Sequence, residues 1–545
     1  MKLRNKIFLV FILVTIGSCS NFDEAPSTNF ASIQDKQGSD HVSIIFSNNI
    51  NGETHPCGCR HFPLGGLPQV AGKFAQINKK SSALYVDSGD TLFGVTKLPK
   101  LREKSMKHKA QKIAEALDKL GLDFFTPGDQ DFAAGVDFLA NLSQKVKFRF
   151  LVANLKANTK IKHIRWAKIK SAKTTFFLTG IISPGIMPYQ LKDILTSPQR
   201  GFNEALKLMK QNGYNETNIN HRLILLSHSG IDDDLKFAKQ NPQLDWIIGS
   251  HTQSFIQVPR QVNKTKTVQV LSRNHYLGEI KFYYQSKTED KYLTHEVRDE
   301  LQKELKPNPF VQFLSDLKLE LDKIYQIEQQ QFESPPGENP KVAHIRNCTD
   351  CHQKQINFWQ GTSHANAFST LVKVKEEKNP ECMKCHTVHM GKDSGFVSHH
   401  DVILFQQGDD ESYISPKSKE HNDKHNAYWL NYKRIYQDIE SVRKLSETKR
   451  KSLARKQFEL DDKYKVFHNF TNVQCFNCHN IPLDHPFENG LDQELEKDAK
   501  YKAIKSRCLA CHTPDQSLEW YKDGKVDEAK FIEHLRAVAC PKGES

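Results

Sequence analysis

Four short stretches of one pattern, Cys-x-x-Cys-His, lie in the C-terminal part of this 545-residue chain. They are Cys348-Thr-Asp-Cys351-His352, Cys382-Met-Lys-Cys385-His386, Cys475-Phe-Asn-Cys478-His479 and Cys508-Leu-Ala-Cys511-His512. Two thiols one helical turn apart can add to the two vinyl groups of a single porphyrin, and the adjacent histidine then lies below the iron as its proximal ligand. Zinc ribbons also pair cysteines, but they do not require a histidine after each pair. The pattern therefore predicts four covalently attached c-type haems.

The opposite face of each iron needs a second ligand, and histidine is abundant in this region. Of the 24 histidines in the chain, fourteen lie within residues 341–545. Met383 lies inside a motif, which leaves Met390 as a ligand for one haem at most. We therefore expect mainly bis-histidine ligation, which favours lower reduction potentials than Met/His ligation. The distal candidates are His364 and His485, followed by His389 and His344.

The order of these motifs resembles multihaem cytochromes of the cytochrome c-552/554 type. The resemblance covers about residues 341–520 and includes Ser363-His364-Ala365 and Asp484-His485-Pro486. In that family a histidine in a segment of this kind tends to serve a haem, which supports His364. Residues 400–470, rich in Lys, Glu and Tyr, separate the second and third motifs, and their charge pattern predicts solvated helices that present a docking surface.

In the N-terminal half, polar side chains stand where predicted strands end. Apolar runs alternate with helical stretches in residues 41–290, which is the pattern of an α/β layered domain. The helical patterns fall near Leu67–Lys79, Ser105–Leu120, Phe202–Asn212, Asp232–Gln240 and Asn308–Tyr325. The polar residues after the strands are Asn49, Asn51, Asp90, Asp129, His228, His251 and Gln253. Loops beyond strand ends are where α/β folds gather ligands, so this edge is the predicted site.

These loops resemble those of calcineurin-like metallophosphoesterases, in particular the periplasmic 5′-nucleotidase branch. Ser88-Gly89-Asp90-Thr91 matches the family's Gly-Asp segment, and Gly128-Asp129-Gln130-Asp131-Phe132 stands in place of its Gly-Asn-His-Glu-Phe. Ser227-His228-Ser229-Gly230 and Gly249-Ser250-His251-Thr252-Gln253 match its two late histidine motifs. The resemblance implies one metal bound by positions 49, 51, 90 and 253, and a second bound by Asp90, Asp129, His228 and His251.

Two departures from the family pattern bear on activity. Asn49 and Asn51 stand where the family has an anionic and an imidazole ligand, so we expect the first metal to be absent or weakly held. The second site can still hold one Zn, Mn or Fe ion. Gln130 replaces the family's catalytic histidine and cannot transfer a proton. Because a two-metal mechanism needs both ions, we expect a non-hydrolytic domain, with retained phosphoesterase activity as the alternative.

Cys57 and Cys59 follow the first of these loops, and their spacing excludes a haem motif. As thiolates they would supply the charge that Asn49 and Asn51 lack at the metal site. The alternatives are a redox-active pair and a structural disulfide. Cys540 receives no role from the sequence.

The first residues of the chain have the form of an export signal. Lys2, Arg4 and Lys6 precede the apolar run Ile7–Ile16, which is too short to span a bilayer comfortably. The run ends in Ile16-Gly17-Ser18-Cys19, which resembles the lipobox of bacterial lipoproteins and implies lipid attachment at Cys19. An ordinary cleaved signal is the alternative. We expect a protein of the bacterial envelope, on the periplasmic side or the outer surface, that meets the membrane through its lipid anchor only.

Composition describes a soluble chain of several domains, with 38% hydrophobic and 26% charged residues. The net charge of +13 is spread without a compact basic block, so no nucleic-acid partner is expected. The predicted order is a signal peptide at 1–19, a tether at 20–40, a metallophosphoesterase-type α/β domain at 41–332, a linker at 333–340, and a mostly α, loop-rich tetrahaem cytochrome c domain at 341–545.

These features predict an electron carrier whose partners are redox proteins or a small-molecule redox substrate. The N-terminal domain would then be a binding or docking platform with one metal ion. Two alternatives stay open. One is a redox enzyme that uses the metal and cysteine site of the N-terminal domain, and the other is an active metal-dependent phosphoesterase with an appended cytochrome.

Overall fold

The computed structural model describes residues 30–32, 38–56, 63–171, 173–284, 290–330, 344–390, 395–408, 412–479, 497–514, 516–522 and 525–541. Several sequence-based predictions fall outside these described residues: the signal peptide with Cys19, most of the tether, Cys57 and Cys59, the linker at 333–340, and His485.

Two seven-stranded sheets form the centre of the N-terminal domain. Their strands are β1 (Phe30–Ser32), β2 (His41–Ser47), β3 (Ala83–Asp87), β4 (Phe124–Phe125), β5 (Arg149–Leu151), β6 (His163–Ile164), β7 (Trp166–Lys170), β8 (Thr175–Ile182), β9 (His221–His228), β10 (Trp246–Ile248), β11 (Arg260–Val262), β12 (Thr265–Val268), β13 (Tyr276–Tyr283) and β14 (Lys291–Glu296). The first sheet has the order β14-β13-β2-β3-β4-β5-β6, and the second has the order β1-β7-β8-β9-β10-β12-β11. Neighbouring strands at the centre of each sheet run parallel, so their carboxyl ends gather at one edge.

Alternate residues of the central strands face two different apolar cores. Along β9, Ile224 and Leu226 pack between the two sheets, whereas Leu223 and Leu225 pack on the outer side. Successive side chains of a strand point to opposite faces of the sheet, and here both faces are covered. This is why these strands are continuous apolar runs in the sequence rather than alternating ones.

Helices cover the outer face of each sheet and complete four layers. The helices on the first sheet are α1 (Leu67–Asn78), α2 (Glu103–Leu120) and α3 (Val136–Lys145), and those on the second are α4 (Pro198–Gln211) and α5 (Ile231–Gln240). A long helix, α6 (Pro309–Gln330), packs on α1 and α2. The layered α/β fold that the sequence predicts for this region is confirmed.

The C-terminal region is mostly helical, as the sequence predicts. Its helices are α7 (Gln353–Gln360), α8 (Ala367–Lys373), α9 (Pro380–His386), α10 (Lys419–Tyr436), α11 (Glu447–Lys463), α12 (Cys475–Cys478), α13 (Lys497–Cys511) and α14 (Glu528–Val538). The strands are short and form two pairs, β15 (Ile403–Phe405) with β16 (Val466–Asn469), and β17 (Tyr521–Lys522) with β18 (Lys525–Val526). None of the helices described in the structure combines the length and the apolar character that a membrane crossing requires.

The prediction of solvated helices between the second and third motifs is wrong for one face of α10. Tyr428, Tyr432 and Tyr436 recur every fourth residue and are buried, together with Trp429. They pack with Phe368 in an apolar core to which α11 also contributes. The charged residues that suggested solvation occupy the other faces of the helix, and residues four apart share a face.

Candidate functional site

Four of the predicted metal ligands meet at the carboxyl ends of the strands. One ligand atom from each of Asp90, Asp129, His228 and His251 lies within 4.8 Å of the others. Asp90 and Asp129 follow strands of the first sheet. His228 is the last residue of β9 and His251 follows β10, both in the second sheet, so the group bridges the two sheets. Asp90, Asp129 and His228 are buried, and His251 is partly exposed. Two carboxylates with two imidazoles fit one Zn, Mn or Fe ion.

The ring of His228 is held with one nitrogen toward the other ligands. Its Nδ1 donates to the carbonyl of Ser88 at 2.7 Å, while its Nε2 lies 3.3 Å from one oxygen each of Asp90 and Asp129. Burial opposes a positive charge here, but the carboxylates of Asp90 and Asp129 outweigh burial and raise the pKa of His228 well above its ordinary value. A carbonyl behind the imidazole fixes the ring orientation that a metal ligand needs.

A third acid, Asp131, is buried next to the site and holds the loops that carry the ligands. Its carboxylate accepts from the backbone N–H groups of Asp90 at 2.8 Å, Leu92 at 2.7 Å and Gly128 at 2.7 Å. Burial raises the pKa of Asp131 to about 7. A Cβ at Gly128 would lie 2.3 Å from Asp90 Oδ1 and 2.3 Å from a ring carbon of His228, so this close approach requires glycine. Sequence reasoning assigned no role to Asp131, although it is the second acid of the Gly-Asp-Gln-Asp stretch.

Gln130, at the position of the family's catalytic histidine, contacts a predicted ligand. Its backbone N–H donates to Asp90 Oδ1 at 3.0 Å, and its side-chain Nε2 donates to Oδ2 at 2.8 Å. Both carboxylate oxygens of Asp90 therefore accept from one residue. Such outer contacts orient a ligating carboxylate.

Several of the positions expected to bind a first metal carry amide side chains, and that of Asn49 forms hydrogen bonds to a neighbouring loop. Asn49 Oδ1 accepts from Ser250 Oγ at 2.9 Å and from the backbone N–H of His251 at 3.1 Å. The Nδ2 of Asn49 and the Oδ1 of Asn51 are buried without a hydrogen-bond partner. Gln253 follows on the same loop as His251. Metal binding by Asn49 or Gln253 stays a prediction.

The backbone around this group is left-handed at an unusual number of positions. The residues and their φ values are Asn49 (51°), Asn51 (56°), Asp90 (57°), His251 (76°) and Gln253 (52°). Residues other than glycine adopt this region rarely and at a cost, and such residues concentrate at binding sites. The surrounding hydrogen bonds of the two sheets hold them there.

All eight motif cysteines and all four motif histidines line a single cavity of about 2600 Å³. In three motifs the backbone N–H of the histidine donates to the backbone carbonyl of the first cysteine. The distances are 2.9 Å for His352, 2.8 Å for His479 and 2.9 Å for His512. In the second motif His386 ends helix α9. Each motif is therefore a helical turn that presents both thiols on one face, as covalent haem attachment requires.

Two of the motif histidines are oriented by hydrogen bonds at Nδ1. His386 Nδ1 donates to the carbonyl of Ala367 at 2.7 Å, and His512 Nδ1 lies 2.8 Å from Ser517 Oγ. A bond at Nδ1 makes Nε2 the ligand nitrogen. Thiols and imidazoles in this arrangement fit c-type haem.

The leading distal candidate, His364, lies between two motifs on the wall of the cavity. Its ring centroid is 6.3 Å from that of His512. Burial, and then the charges of Arg443 and His386, lower the pKa of His364 to about 4. The side chain is therefore neutral at physiological pH, as an iron ligand must be.

The other distal candidates are spread over the region. His389 lines the cavity, whereas His344 is buried with its ring centroid 4.6 Å from that of His468. Sequence reasoning did not single out His468, which is 3% exposed with its Nε2 unpartnered. In the sequence nothing distinguishes His468 from the other histidines of this region. Cys540 also lines the cavity and is exposed.

The cavity extends to the N-terminal domain. We name four of its lining residues in that domain the junction surface: Asn51, Gly52, Glu53 and Arg273. The second motif lines the same cavity. The backbone N–H of Asn51 donates to the carbonyl of Asp90 at 2.8 Å. The junction surface therefore lines the cavity and also contacts a residue of the metal group.

The fold and the two sites define a fusion of a metallophosphoesterase-like domain with a cytochrome c domain. Residues 347–407 match the family model described as cytochrome c554 and c-prime. The N-terminal region is similar to 5′-nucleotidases, with 26% identity over 200 residues to the mouse enzyme, covering 35% of this chain and 33% of the relative. It has 25% identity over 251 residues to the bovine enzyme, covering 41% of this chain and 42% of the relative. The chain thus spans about a third to two fifths of the length of the curated relatives it matches.

The chain is also similar to solved structures. Sulfate thiohydrolase SoxB from Thermus thermophilus has a TM-score of 0.43 at 15% identity, covering 55% of this chain and 62% of that one. The calcineurin-like phosphoesterase YfkN from Bacillus subtilis has a TM-score of 0.42 at 18% identity, covering 52% of this chain and 99% of that one.

Proposed function

We propose that this protein is an electron-transferring cytochrome with four c-type haems, joined to an N-terminal platform that binds one divalent metal ion. The observation that carries the proposal is the single cavity of about 2600 Å³ lined by all four motifs. Ligand pockets for one small molecule measure roughly 300–1,000 Å³, so this space suits several large groups side by side. Covalent haems held next to one another supply one-electron chemistry over a distance.

The lipobox-like segment at Cys19 supports a place in the bacterial envelope, with lipid attachment as the membrane contact. Its partners there are redox proteins or a small-molecule redox substrate. The metal group supports the platform role, because its four ligands are complete whereas Asn49 and Asn51 offer only neutral amides toward a second ion.

Haem stoichiometry tests the electron-transfer proposal. The full chain is produced with a cytochrome c maturation system and assayed by pyridine haemochrome. We expect four haems per chain, and one fewer in each variant with both cysteines of one motif changed to serine. Cys540→Ser is the matched control and should keep all four. A wild-type protein without haem would overturn the proposal.

Hydrolysis is the second candidate function, favoured by the compact group of Asp90, Asp129, His228 and His251. A single metal ion can polarise a phosphoryl oxygen and activate water. Turnover of p-nitrophenyl phosphate or nucleotides with Mn²⁺ or Zn²⁺, lost in Asp90→Asn, would establish it. Turnover no greater than that of Asp90→Asn would exclude it.

A further inference from the structure

The second motif is held against the N-terminal domain by charged contacts. Glu381, directly before Cys382, pairs with Arg102 of the N-terminal domain at 2.5 Å. Lys318 of helix α6 lies 3.7 Å from Glu376, which precedes α9. Burial opposes the charge of Glu381, but Arg102 and Lys384 outweigh it and lower the pKa of Glu381 to about 2. The two charged contacts therefore hold the start of this motif against the domain that carries the metal group.

Charges of the N-terminal domain reach the thiols of this motif. Burial raises the pKa of Cys382. Glu376 of the C-terminal region and Glu53 of the N-terminal domain add to this effect, whereas Lys109 of the N-terminal domain opposes it. A hydrogen bond with Cys511 lowers the pKa of Cys385 to about 7, and Arg273 acts in the same direction. For the other motifs, the leading influences on Cys475, Cys478 and Cys511 come from the C-terminal region itself.

The same charges connect back to the metal group. Arg273 Nη1 lies 3.5 Å from Glu53 Oε1, and the backbone N–H of Arg273 donates to the carbonyl of Asn49 at 2.8 Å. Asn49 in turn accepts from His251, one of the four metal ligands. The junction surface therefore contacts the metal group through Asn51 and lines the cavity that the second motif also lines.

We propose that the N-terminal domain sets the reduction potential of the haem at the second motif, through Glu53 and Arg273 and through the charge of the metal ion. This inference rests on the proposed function, because it needs a haem at Cys382 and Cys385. A nearby negative charge favours the oxidised iron and a nearby positive charge favours the reduced iron. Glu53 therefore lowers the potential of that haem, whereas Arg273 and a bound divalent ion raise it. Glu53 and Arg273 act as tuning residues, and no bond is made or broken.

The test is a potentiometric titration of the full haem-loaded chain, followed by visible and EPR spectra. Each haem contributes one redox component to the titration. The component of the second-motif haem is the one that is missing from the titration of the variant Cys382→Ser/Cys385→Ser. We expect Glu53→Gln to shift this component to higher potential and Arg273→Gln to shift it to lower potential, while the other components stay in place. Loading the wild-type protein with Mn²⁺ should shift the same component upward.

The matched controls are Glu216→Gln and Lys264→Gln, which break an exposed ion pair of 3.2 Å elsewhere in the N-terminal domain. Neither should move any component. The inference is overturned if four haems titrate but the second-motif component responds to neither charge variant nor to Mn²⁺, or if all components shift together. Absence of haem, by contrast, overturns the proposed function. The Mn²⁺ titration needs no substitution, so a variant that fails to fold leaves the inference testable.

Discussion

Gln130 supports a predicted metal ligand, at a position where the family resemblance implies a histidine. It donates to both oxygens of Asp90, one through its backbone and one through its side chain. An amide cannot transfer a proton at physiological pH, but it can fix a carboxylate. At the residue scale, the observed role of Gln130 is to orient the carboxylate of Asp90.

Gln130→Ala should therefore weaken metal binding by about 10–100-fold, the usual cost of removing an outer hydrogen bond from a ligand. The affinity for Mn²⁺ or Zn²⁺ is measured by chelator competition. Gln312→Ala is the control, since Gln312 lies on the exposed face of α6, where it bonds Asp316. Equal affinities in the two variants would contradict a supporting role for Gln130.

His364 allows a second test at this scale. If His364 is a distal ligand, His364→Ala should convert one haem from low-spin to high-spin, because a six-coordinate iron loses one ligand. EPR and visible spectra measure the change. His108→Ala, which removes a histidine paired with Glu320 in the N-terminal domain, should leave all spectra unchanged. An unaltered spectrum of His364→Ala would remove His364 from the distal ligands.

At the scale of elements, helix α6 packs on α1 and α2 within the N-terminal domain and contacts the C-terminal region. Leu317 is 1% exposed between α1 and α2, and Lys318, the next residue, reaches Glu376 across the domain boundary. Loss of packing at Leu317 should therefore also loosen the contact beside the second motif.

Leu317→Ala should lower the free energy of unfolding by about 2–5 kcal/mol, as large-to-small changes in a core do. Leu319→Ala is a matched control on the same helix, because Leu319 is 60% exposed, and it should change stability by no more than about 0.5 kcal/mol. Urea denaturation of the full chain measures both. Similar losses in the two variants would argue against the packing of α6.

Helices α10 and α11 are joined by a buried acid that makes stability depend on pH. Asp461 accepts from Tyr428 Oη at 2.7 Å and from Asn469 Nδ2 at 3.1 Å, and burial raises its pKa from 3.8 to about 7. The folded state therefore holds a proton that the unfolded chain releases near pH 4. The contribution of Asp461 to the free energy of unfolding is therefore largest below pH 4 and is lost as the pH rises toward 7.

We expect wild type to lose stability relative to Asp461→Asn between about pH 4 and pH 7, at no more than about 1.4 kcal/mol per pH unit. The difference in urea midpoint between the two proteins, followed across this range, gives the slope. A constant difference would show that Asp461 is ionised throughout.

The elements that sequence alone predicted well are those with a single strong pattern. The helical pattern Leu67–Lys79 is α1 with one residue fewer, and the pattern Asp232–Gln240 is α5 with one residue more. The helix predicted at Asn308–Tyr325 continues to Gln330, because no breaker ends it at Tyr325. The aromatic face of α10 was missed, because its Lys, Glu and Asn residues outweigh the tyrosines when composition is read without a helical period.

The candidate site was also predicted from the sequence in part. Asp90, Asp129, His228 and His251 were predicted from motifs, and the structure brings them together. The role of Asp131 depends on four backbone N–H groups that converge only in the folded loops, so no local pattern reveals it. Distances between motifs distant in sequence, such as His364 and His512, are set by packing rather than by spacing.

At the scale of the whole molecule, charge changes when the cofactors are counted. The chain alone carries a net charge of +13 and an isoelectric point near 9.0. Each haem adds propionate carboxylates to a region rich in lysine and arginine. The loaded protein is therefore closer to neutral than the sequence suggests.

Haem-loaded protein should focus at a more acidic pH than a variant in which all eight motif cysteines are serine. Isoelectric focusing in urea makes the comparison independent of folding. Cys540→Ser should focus with the wild type. Identical positions for the loaded protein and the eight-serine variant would contradict four covalent haems.

The left-handed backbone at Asn49 and Asn51 has a consequence for how this chain could change over generations. Asparagine is among the residues that tolerate this conformation best, and aspartate and histidine are enriched there as well. A codon for asparagine becomes one for aspartate or for histidine by a single base change. The loops already hold the shape that charged ligands would need, with φ of 51° and 56° at the two positions. The ligands that the family resemblance implies at positions 49 and 51 are therefore one point mutation away at each position, on a backbone that already has the left-handed conformation.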